Sequence, residues 1–82
     1  MSTILVQQAD AYSKPDGVSR LVSHAMKYQS SIYLRFEEMD INAKSIMGVA
    51  YFFSRANEKD IKITATGDDE SEALADLRKF LS

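Results

Sequence analysis

Two six-residue segments in which apolar and polar residues alternate constrain the fold of this chain more than any other feature. The segments are Ser31–Phe36 and Ile61–Thr66, and each places its apolar side chains on one face. A period of two is typical of a strand that is buried on one side only. The sequence therefore predicts a sheet with one face against a core and the other toward water.

Three further segments carry apolar residues at spacings of three and four, the pattern of a helix with one buried face. The first begins after the turn-forming segment Ser13–Gly17, the second is expected to be short, and the third is expected to be capped by Asp69, with Glu72 reaching back. The predicted core faces are, in chain order, Val18, Leu21, Val22, Ala25 and Tyr28; Ile46, Val49, Ala50 and Phe53; and Leu74, Leu77, Phe80 and Leu81.

The order of these elements predicts the architecture. A strand at Ile4–Val6 precedes the first helix, and a hairpin turn at Glu37–Met39 leads into a short strand at Asp40–Asn42. The expected order is β-α-β-β-α-β-α in an α+β fold, an open-faced two-layer sandwich with three helices on one face of a four-stranded antiparallel sheet. Residues 1–82 are expected to form a single domain.

Composition excludes several classes of protein. The chain has no cysteine, so it has neither a disulfide framework nor a thiolate metal site, and a reducing, cytoplasmic compartment is expected. Its net charge is -2 and no segment gathers lysine or arginine into a stripe, so we expect no direct contact with nucleic acid. No stretch is long and apolar enough for a membrane span or a signal peptide, and no motif indicates a cofactor or a small-molecule substrate.

One run of residues carries a family resemblance. Asn42–Gly48 reads Asn-Ala-Lys-Ser-Ile-Met-Gly, and with its surroundings it resembles HPr-type proteins of the bacterial sugar phosphotransferase system. The other segments that resemble HPr are Leu21-Val22, Ala25-x-Lys27-Tyr28, Ile61–Gly67 and Glu72-Ala73-Leu74. The resemblance implies the HPr fold and a protein that acts without being an enzyme.

The resemblance implies a regulatory role for Ser45, which stands where Gram-positive HPr proteins are phosphorylated by an ATP-dependent HPr kinase. Independently, Ser45 is predicted to begin the second helix, where its side-chain oxygen can accept bonds from free amides and a phosphate would meet the positive end of the helix dipole. A simpler alternative is that Ser45 is an ordinary N-cap, which contributes about 1 kcal/mol to many helices without regulation.

Partner binding is also implied by the resemblance. Family members dock proteins through apolar residues after the serine, here Ile46 and Met47, with Tyr51 one turn further on. We expect Phe52 to enlarge this patch, although Met47 could instead pack against the first helix. The first helix would add Ser19, Arg20 and Ser23 to the surface. The expected partners are an HPr kinase and a transcriptional regulator of carbon catabolism.

The chain departs from the family at the start of the first helix. HPr proteins carry Gly-x-His-Ala-Arg-Pro-Ala there, and alignment back from Leu21-Val22 places Lys14 at the histidine and Asp16 at the arginine. An imidazole with a pKa of about 6.5 can carry phosphate reversibly, whereas a lysine amine stays protonated at pH 7. Asp16 adds a negative charge where a phosphoryl group would sit. Phosphate transfer by the family mechanism is therefore predicted to be lost.

The other residues that could carry a phosphate or bind a metal ion are weaker candidates. His24, the only histidine, is predicted to lie on a solvated flank of the first helix, about three turns from its start, where no free amides could hold a phosphate. Asp68, Asp69, Glu70 and Glu72 suit the dipole of a helix start better than a metal site. We expect no metal.

The leading hypothesis is a regulatory module switched at Ser45, comparable to the catabolite-repression paralogue of HPr in bacilli, which also lacks the histidine. That paralogue retains the arginine, so Asp16 indicates a different partner. Two alternatives stay open: phosphoryl transfer through an unusual residue of the Ser13–Ser19 region, or a diverged paralogue that competes for HPr partners while Ser45 serves as an unmodified cap.

Overall fold

A computed structural model describes residues 1–82 and confirms the predicted order of elements. The elements are β1 (Ser2–Ala9), α1 (Gly17–Met26), β2 (Ser31–Phe36), β3 (Met39–Asn42), α2 (Ile46–Ala56), β4 (Lys59–Thr66) and α3 (Glu70–Leu81). The strands form one antiparallel sheet in the order β1-β4-β2-β3, and the three helices cover one face. The predicted α+β open-faced sandwich is therefore confirmed. None of the helices has the length and apolarity needed to cross a bilayer.

The two alternating segments form the centre of the sheet, as predicted. In β2 and β4, Ile32 pairs with Ala65 and Leu34 pairs with Ile63, and all four side chains are fully buried. Their polar neighbours alternate onto the open face, which has no helix over it. The helices supply most of the other core residues to the buried face. The docking and phosphorylation candidates lie on this helical side of the molecule.

Several boundaries differ from the predicted ones. β1 spans eight residues rather than three, and β4 begins at Lys59, inside the expected polar link. Met39 is paired with Phe36, so the hairpin turn contains only Glu37 and Glu38. α1 ends at Met26, before Tyr28, and α2 has eleven residues and is not shorter than α1. Strand pairing extends β1 and β4 because each supplies the other with backbone partners along its length.

The predicted core face of α2 is partly wrong. Val49 and Phe53 are buried as expected, but Ile46 and Ala50 are exposed, and Phe52 is buried in their place. The helix contacts α1 on one side and β2 and β3 on the other, which turns the stripe of Val49, Phe52, Phe53 and Ala56 inward. Both stripes fit helical spacing, and the position of the neighbouring elements selects between them.

Asp69 does not cap α3 with its side chain, which contradicts the prediction. Its carboxylate instead accepts hydrogen bonds from the Gln29 amide at 2.9 Å, the Ser30 amide at 3.0 Å and the buried Ser30 hydroxyl. These bonds hold the pKa of Asp69 below its ordinary value. Glu70, not Glu72, reaches back to the amide of Gly67 at 3.1 Å. Asp69 therefore joins the start of α3 to the start of β2.

Candidate functional site

Ser45 lies at the N-cap of α2, as predicted. Its backbone is extended, and its Oγ accepts a hydrogen bond from the amide of Gly48 at 3.2 Å. Asn42 prepares this turn, because its side-chain oxygen accepts the Lys44 amide at 2.9 Å and its carbonyl accepts the Ser45 amide at 3.1 Å. The hydroxyl is exposed to solvent, so a modifying enzyme could reach it.

Gly48 keeps the space beside Ser45 open. A Cβ atom at this position would lie 2.7 Å from Cγ2 of Ile41 and 3.2 Å from the Ser45 Oγ. The absence of a side chain thus lets the first turn of α2 pack against β3 and leaves the serine oxygen accessible to the Gly48 amide.

The residues before Ser45 anchor this end of α2 to the core. Ala43 is fully buried, and its amide donates to the carbonyl of Ile32 at 2.9 Å. The Lys44 ammonium donates to the carbonyl of Tyr28 at 2.7 Å, just beyond the end of α1. The residues before the serine therefore have a structural role: Ala43 ties the turn to β2, and Lys44 ties it to the segment just after α1.

The apolar residues predicted for partner binding are exposed. Ile46, Met47 and Tyr51 have 51%, 82% and 53% of their surfaces accessible, so Met47 does not pack against α1. The prediction that Phe52 enlarges this patch is wrong, because its ring is fully buried and contacts the ring of Phe53 edge-on at 5.1 Å. We call Ile46, Met47 and Tyr51 the α2 patch.

The loop between β1 and α1 is held from the far end of α2. The Asp10 carboxylate accepts the amides of Tyr12 and Ser13 at 2.9 and 3.0 Å and the Asn57 side-chain amide at 3.1 Å. Asn57 in turn accepts the Ala11 amide at 2.9 Å. The bond from Asn57, together with the amides, keeps the pKa of Asp10 below its ordinary value.

Lys14 and Asp16 occupy the entrance to α1. The Lys14 ammonium donates to the carbonyl of Asp10 at 3.2 Å and lies 5.5 Å from the centre of the Phe80 ring. Asp16 has a left-handed backbone with φ of 52° and makes no side-chain cap, although it stands at the N-cap position. The next residue is Gly17, and a Cβ atom at this position would lie 1.7 Å from the carbonyl oxygen of Ala11. The entrance therefore requires a glycine here.

A shallow surface depression lies between the α1 entrance and the start of α2. Its walls include Tyr12, Lys14, Asp16 and Ser19 from the α1 entrance and Ile46 from the start of α2. Tyr12 was not among the predicted site residues; an aromatic residue within an otherwise polar loop was the available signal. The other two predicted α1 residues, Arg20 and Ser23, are exposed but lie outside the depression.

His24 is not on a solvated flank, and that prediction is wrong. Its Nδ1 lies 3.2 Å from the Asp76 carboxylate, and its ring lies 4.9 Å from that of Phe80. His24 is half-buried because α3 packs against α1, and it lies in the last turn of α1, about two turns from the helix start rather than three. It is far from the free amides at that start.

The same carboxylate also binds Tyr28, whose hydroxyl donates to Asp76 at 2.7 Å. This bond raises the pKa of Tyr28 to about 12. Burial raises the pKa of Asp76, but the bonds from Tyr28 and His24 outweigh burial and leave that pKa below its ordinary value. The three side chains therefore link α1 to α3 as a structural unit. No three acidic or histidine side chains of the chain converge in a way that suits a metal ion.

The family model described as the PTS HPr component phosphorylation site matches residues 17–82. The match begins at the first residue of α1 and includes the whole α2 region with Ser45.

Three solved structures illustrate the similarity. The phosphocarrier protein HPr of Bacillus anthracis is 25% identical, with a TM-score of 0.86 over 99% of this chain and 96% of its own. HPr of Thermoanaerobacter tengcongensis is 27% identical, with a TM-score of 0.85 over 99% and 91%. The solution structure of Crh, the catabolite repression HPr of Bacillus subtilis, is 26% identical, with a TM-score of 0.71 over 99% and 94%. The chain is therefore similar both to phosphocarrier HPr proteins and to a catabolite repression HPr.

Proposed function

The chain belongs to the PTS HPr component family, whose members are phosphocarriers and not enzymes, and we propose that it is a regulatory member switched by phosphorylation of Ser45. Its general role lies in the phosphotransferase system or in catabolite repression, through contacts with other proteins. In the proposal its partners are an HPr kinase and a transcriptional regulator, in the bacterial cytoplasm, and residues 1–82 act as one domain without histidine phosphocarrier activity.

One observation carries the proposal: the accessible hydroxyl of Ser45 caps α2 directly beside the exposed α2 patch. A modification at this oxygen changes the charge at the edge of a surface where Ile46, Met47 and Tyr51 are free to contact a protein. A phosphate adds about -1.5 to -2 charges at pH 7 and three strong acceptors. The N-terminal end of an eleven-residue helix favours that charge, so α2 tolerates the modification.

The transfer itself requires only the serine from this chain. The Ser45 Oγ attacks the γ-phosphorus of ATP, its proton passes to a base of the kinase, and ADP leaves as the bond to the β-phosphate oxygen breaks. After transfer the phosphate oxygens can accept the Gly48 amide that the hydroxyl accepts before it, at 3.2 Å. The kinase supplies the metal ion and the base, and this chain supplies an accessible nucleophile on a rigid turn.

The geometry at the α1 entrance supports the loss of carrier activity. Lys14 presents an ammonium that already donates to the Asp10 carbonyl, and an ammonium has no lone pair with which to take a phosphoryl group. The Asp16 carboxylate lines the same depression and would repel an incoming phosphate. His24, the remaining candidate nucleophile, is held by Asp76 about two turns away.

A kinase assay tests the regulatory part of the proposal. The purified chain is incubated with ATP and a Gram-positive HPr kinase, and the product is weighed by mass spectrometry. We expect one added phosphate on the native chain and none on Ser45→Ala, with Ser71→Ala as a matched exposed-serine control that still gains one. If no phosphate is added, or if it is added equally to Ser45→Ala, the proposal is wrong.

A second assay tests the carrier activity. Enzyme I and phosphoenolpyruvate should leave no acid-labile phosphate on this chain while they label an HPr that has the histidine. Restoring both family residues with Lys14→His and Asp16→Arg should return labelling. An acid-labile adduct on the unmodified chain would contradict the proposed loss and favour transfer through an unusual residue.

A further inference from the structure

The outer edge of β1 lacks the usual protection of a sheet edge. In the strand order β1-β4-β2-β3, β1 pairs with β4 alone, so the backbone groups along its other side have no partner strand. Sheet edges are usually blunted by charged residues, by proline or by a very short strand. Ser2–Ala9 has eight residues, and none of them is charged or proline. The other edge strand, β3, has only four residues and carries Asp40. β1 is therefore the edge that is open to another strand.

The regular part of this edge is centred on Ile4. Ser2–Val6 pairs residue by residue with β4, and the register shifts after Val6, where Gln8 has a left-handed backbone with φ of 51°. An added strand can therefore follow the edge along Ser2–Val6 only. Ile4 is the middle residue of that segment.

Apolar surface lies on both faces of the edge. On the helical face, a groove of about 520 Å³ runs between β1 and α3, and Ile4, Leu74 and the exposed Ala75 line it. On the open face, the side chain of Leu5 has 48% of its surface accessible. A molecule that pairs with β1 covers both surfaces, and this burial adds to the backbone hydrogen bonds.

α3 lies at a distance from the edge that suits a second copy of the chain. The helix runs parallel to β1, because the Ser2 hydroxyl donates to the Glu70 carboxylate at its start and the Asp10 amide donates to the Leu81 carbonyl at its end. Since α3 packs over both β1 and β4, its axis lies above the gap between these strands. Strands lie about 4.8 Å apart, so two β1 edges paired about a two-fold axis would bring two antiparallel α3 axes to roughly 10 Å from each other. Packed helices are separated by about 8–10 Å.

Charge complementarity also selects a second copy as the occupant. Glu72 lies in the first turn of α3, and Arg78 and Lys79 lie in its last turn. The ion pairs within the chain include none of these three residues. In an antiparallel pair of α3 helices centred on Ala75, Glu72 of each copy faces Lys79 of the other. A partner with charges of one sign would match only one end of the groove.

We propose that two copies of this chain associate through their β1 edges and join their four-stranded sheets into one. Ile4 lies opposite Ile4 of the second copy at the two-fold axis, the two α3 helices pack against each other, and each β1 stays paired with its own β4. α2 packs near β3, at the opposite edge of the sheet, so each copy keeps Ser45 and the α2 patch accessible. The proposal is independent of phosphorylation.

The first experiment measures self-association by sedimentation velocity from about 10 µM to about 1 mM protein. Lys79→Glu and Glu72→Lys each place like charges opposite one another in two symmetric positions, so each should raise the dissociation constant on the order of tenfold. An equimolar mixture of the two variants should associate like the native chain, because each variant then meets the opposite charge. The matched control is Arg55→Glu, which reverses an exposed cation on α2 and should leave association unchanged.

The second experiment locates the interface. Ala75→Arg places a long side chain between the two helices at an exposed position, so it should abolish association while the circular dichroism spectrum stays native. In a mixture of isotope-labelled and unlabelled native chains, isotope-filtered spectra should show contacts between Ile4 side chains of different copies. If β1 were exchanged between copies, contacts between copies would instead join Ile4 to Ile63, its partner in β4.

Several results would overturn the proposal. They are a native chain that stays monomeric at every concentration, native association in Lys79→Glu or Glu72→Lys, a mixture of these two variants that associates no better than either alone, and association of Ala75→Arg. Weakened association of Arg55→Glu, or contacts between copies that join Ile4 to Ile63, would overturn it as well. None of these results bears on phosphorylation of Ser45, so the proposed function stands or fails separately.

Discussion

Removing the Ser45 hydroxyl should destabilise the fold by a defined amount, whatever happens to phosphorylation. Ser45→Ala deletes one acceptor, the Oγ that binds the Gly48 amide at 3.2 Å, and leaves that amide to water. The loss of a serine N-cap costs about 1 kcal/mol, and the solvent exposure of this site places it at or below that value. For a domain of this size the melting temperature should fall by roughly 4–8 °C per kcal/mol.

Ser45→Asp should behave differently from Ser45→Ala. A carboxylate keeps an acceptor for the Gly48 amide and adds a negative charge at the positive end of α2, a favourable interaction of about 0.3–1 kcal/mol at low salt. We therefore expect Ser45→Asp to match or exceed the native stability. High salt should remove the advantage, because the charge is exposed.

Urea denaturation followed by far-ultraviolet circular dichroism measures these differences, with Ser23→Ala as the exposed helical control. Ser23→Ala should lie within about 0.5 kcal/mol of the native chain. The reasoning would be refuted if Ser45→Ala were as stable as the native chain, or if Ser45→Asp were the least stable variant. The first result would mean that the capping bond does not stabilise α2, and the second that the start of α2 does not favour a negative charge.

Further predictions concern the core, the α1 entrance and acid stability. Phe52→Ala should lose about 3–5 kcal/mol in urea denaturation, whereas Tyr51→Ala should change stability by less than about 0.5 kcal/mol; similar losses would contradict the observed orientation of α2. Gly17→Ala should unfold the chain or displace the α1 entrance, seen as lost amide dispersion, because its Cβ would meet the Ala11 carbonyl. The pKa of Asp69 is lowered in the fold, so its ionised carboxylate stabilises the folded chain above the ordinary pKa of 3.8, and this stabilisation is lost as the pH falls through the folded pKa. Acid unfolding of Asp69→Asn should therefore lack this part of the pH dependence of stability. An unchanged pH profile would refute the prediction.

The fold was predictable because its signals are local. Period-two alternation in Ser31–Phe36 and Ile61–Thr66 identifies strands with one buried face, and a register shift by one residue would expose every apolar side chain. Helical spacing and the turn residues between segments then leave few arrangements for so short a chain. The open-faced sandwich follows from these patterns without any knowledge of individual contacts.

Part of the candidate site was predictable for the same reason. The serine cap, the short turn before it and the glycine after it are contained within Asn42–Gly48, so their geometry depends on neighbours in sequence. The exposure of Met47 and Tyr51 also follows from their position on α2, opposite any of the possible buried stripes. The family resemblance adds the expectation that this serine is phosphorylated, which capping chemistry alone does not supply.

The tertiary structure decided which partner each side chain meets. Helical spacing allows a buried stripe through Ile46 or one through Phe52, and only the packing of α2 between α1 and the sheet selects Phe52. Asp69 binds Ser30 rather than capping its own helix, because the start of β2 offers donors thirty-nine positions away. Contacts between residues far apart in the chain depend on how elements pack, and no local pattern encodes that packing.

The Asn42–Gly48 motif is a local feature of the sequence, whereas the surface around it depends on tertiary packing. From its residues alone, the chain predicts a helix capped by Ser45 and a turn at Ser13–Gly17 that precedes the first helix. Only the packing of α3 against α1 brings Phe80 under Lys14 and Arg20 and His24 against Asp76. The sequence determined which chemical groups are present, and the fold determined which of them meet, because burial and charge pairing act between elements rather than along the chain.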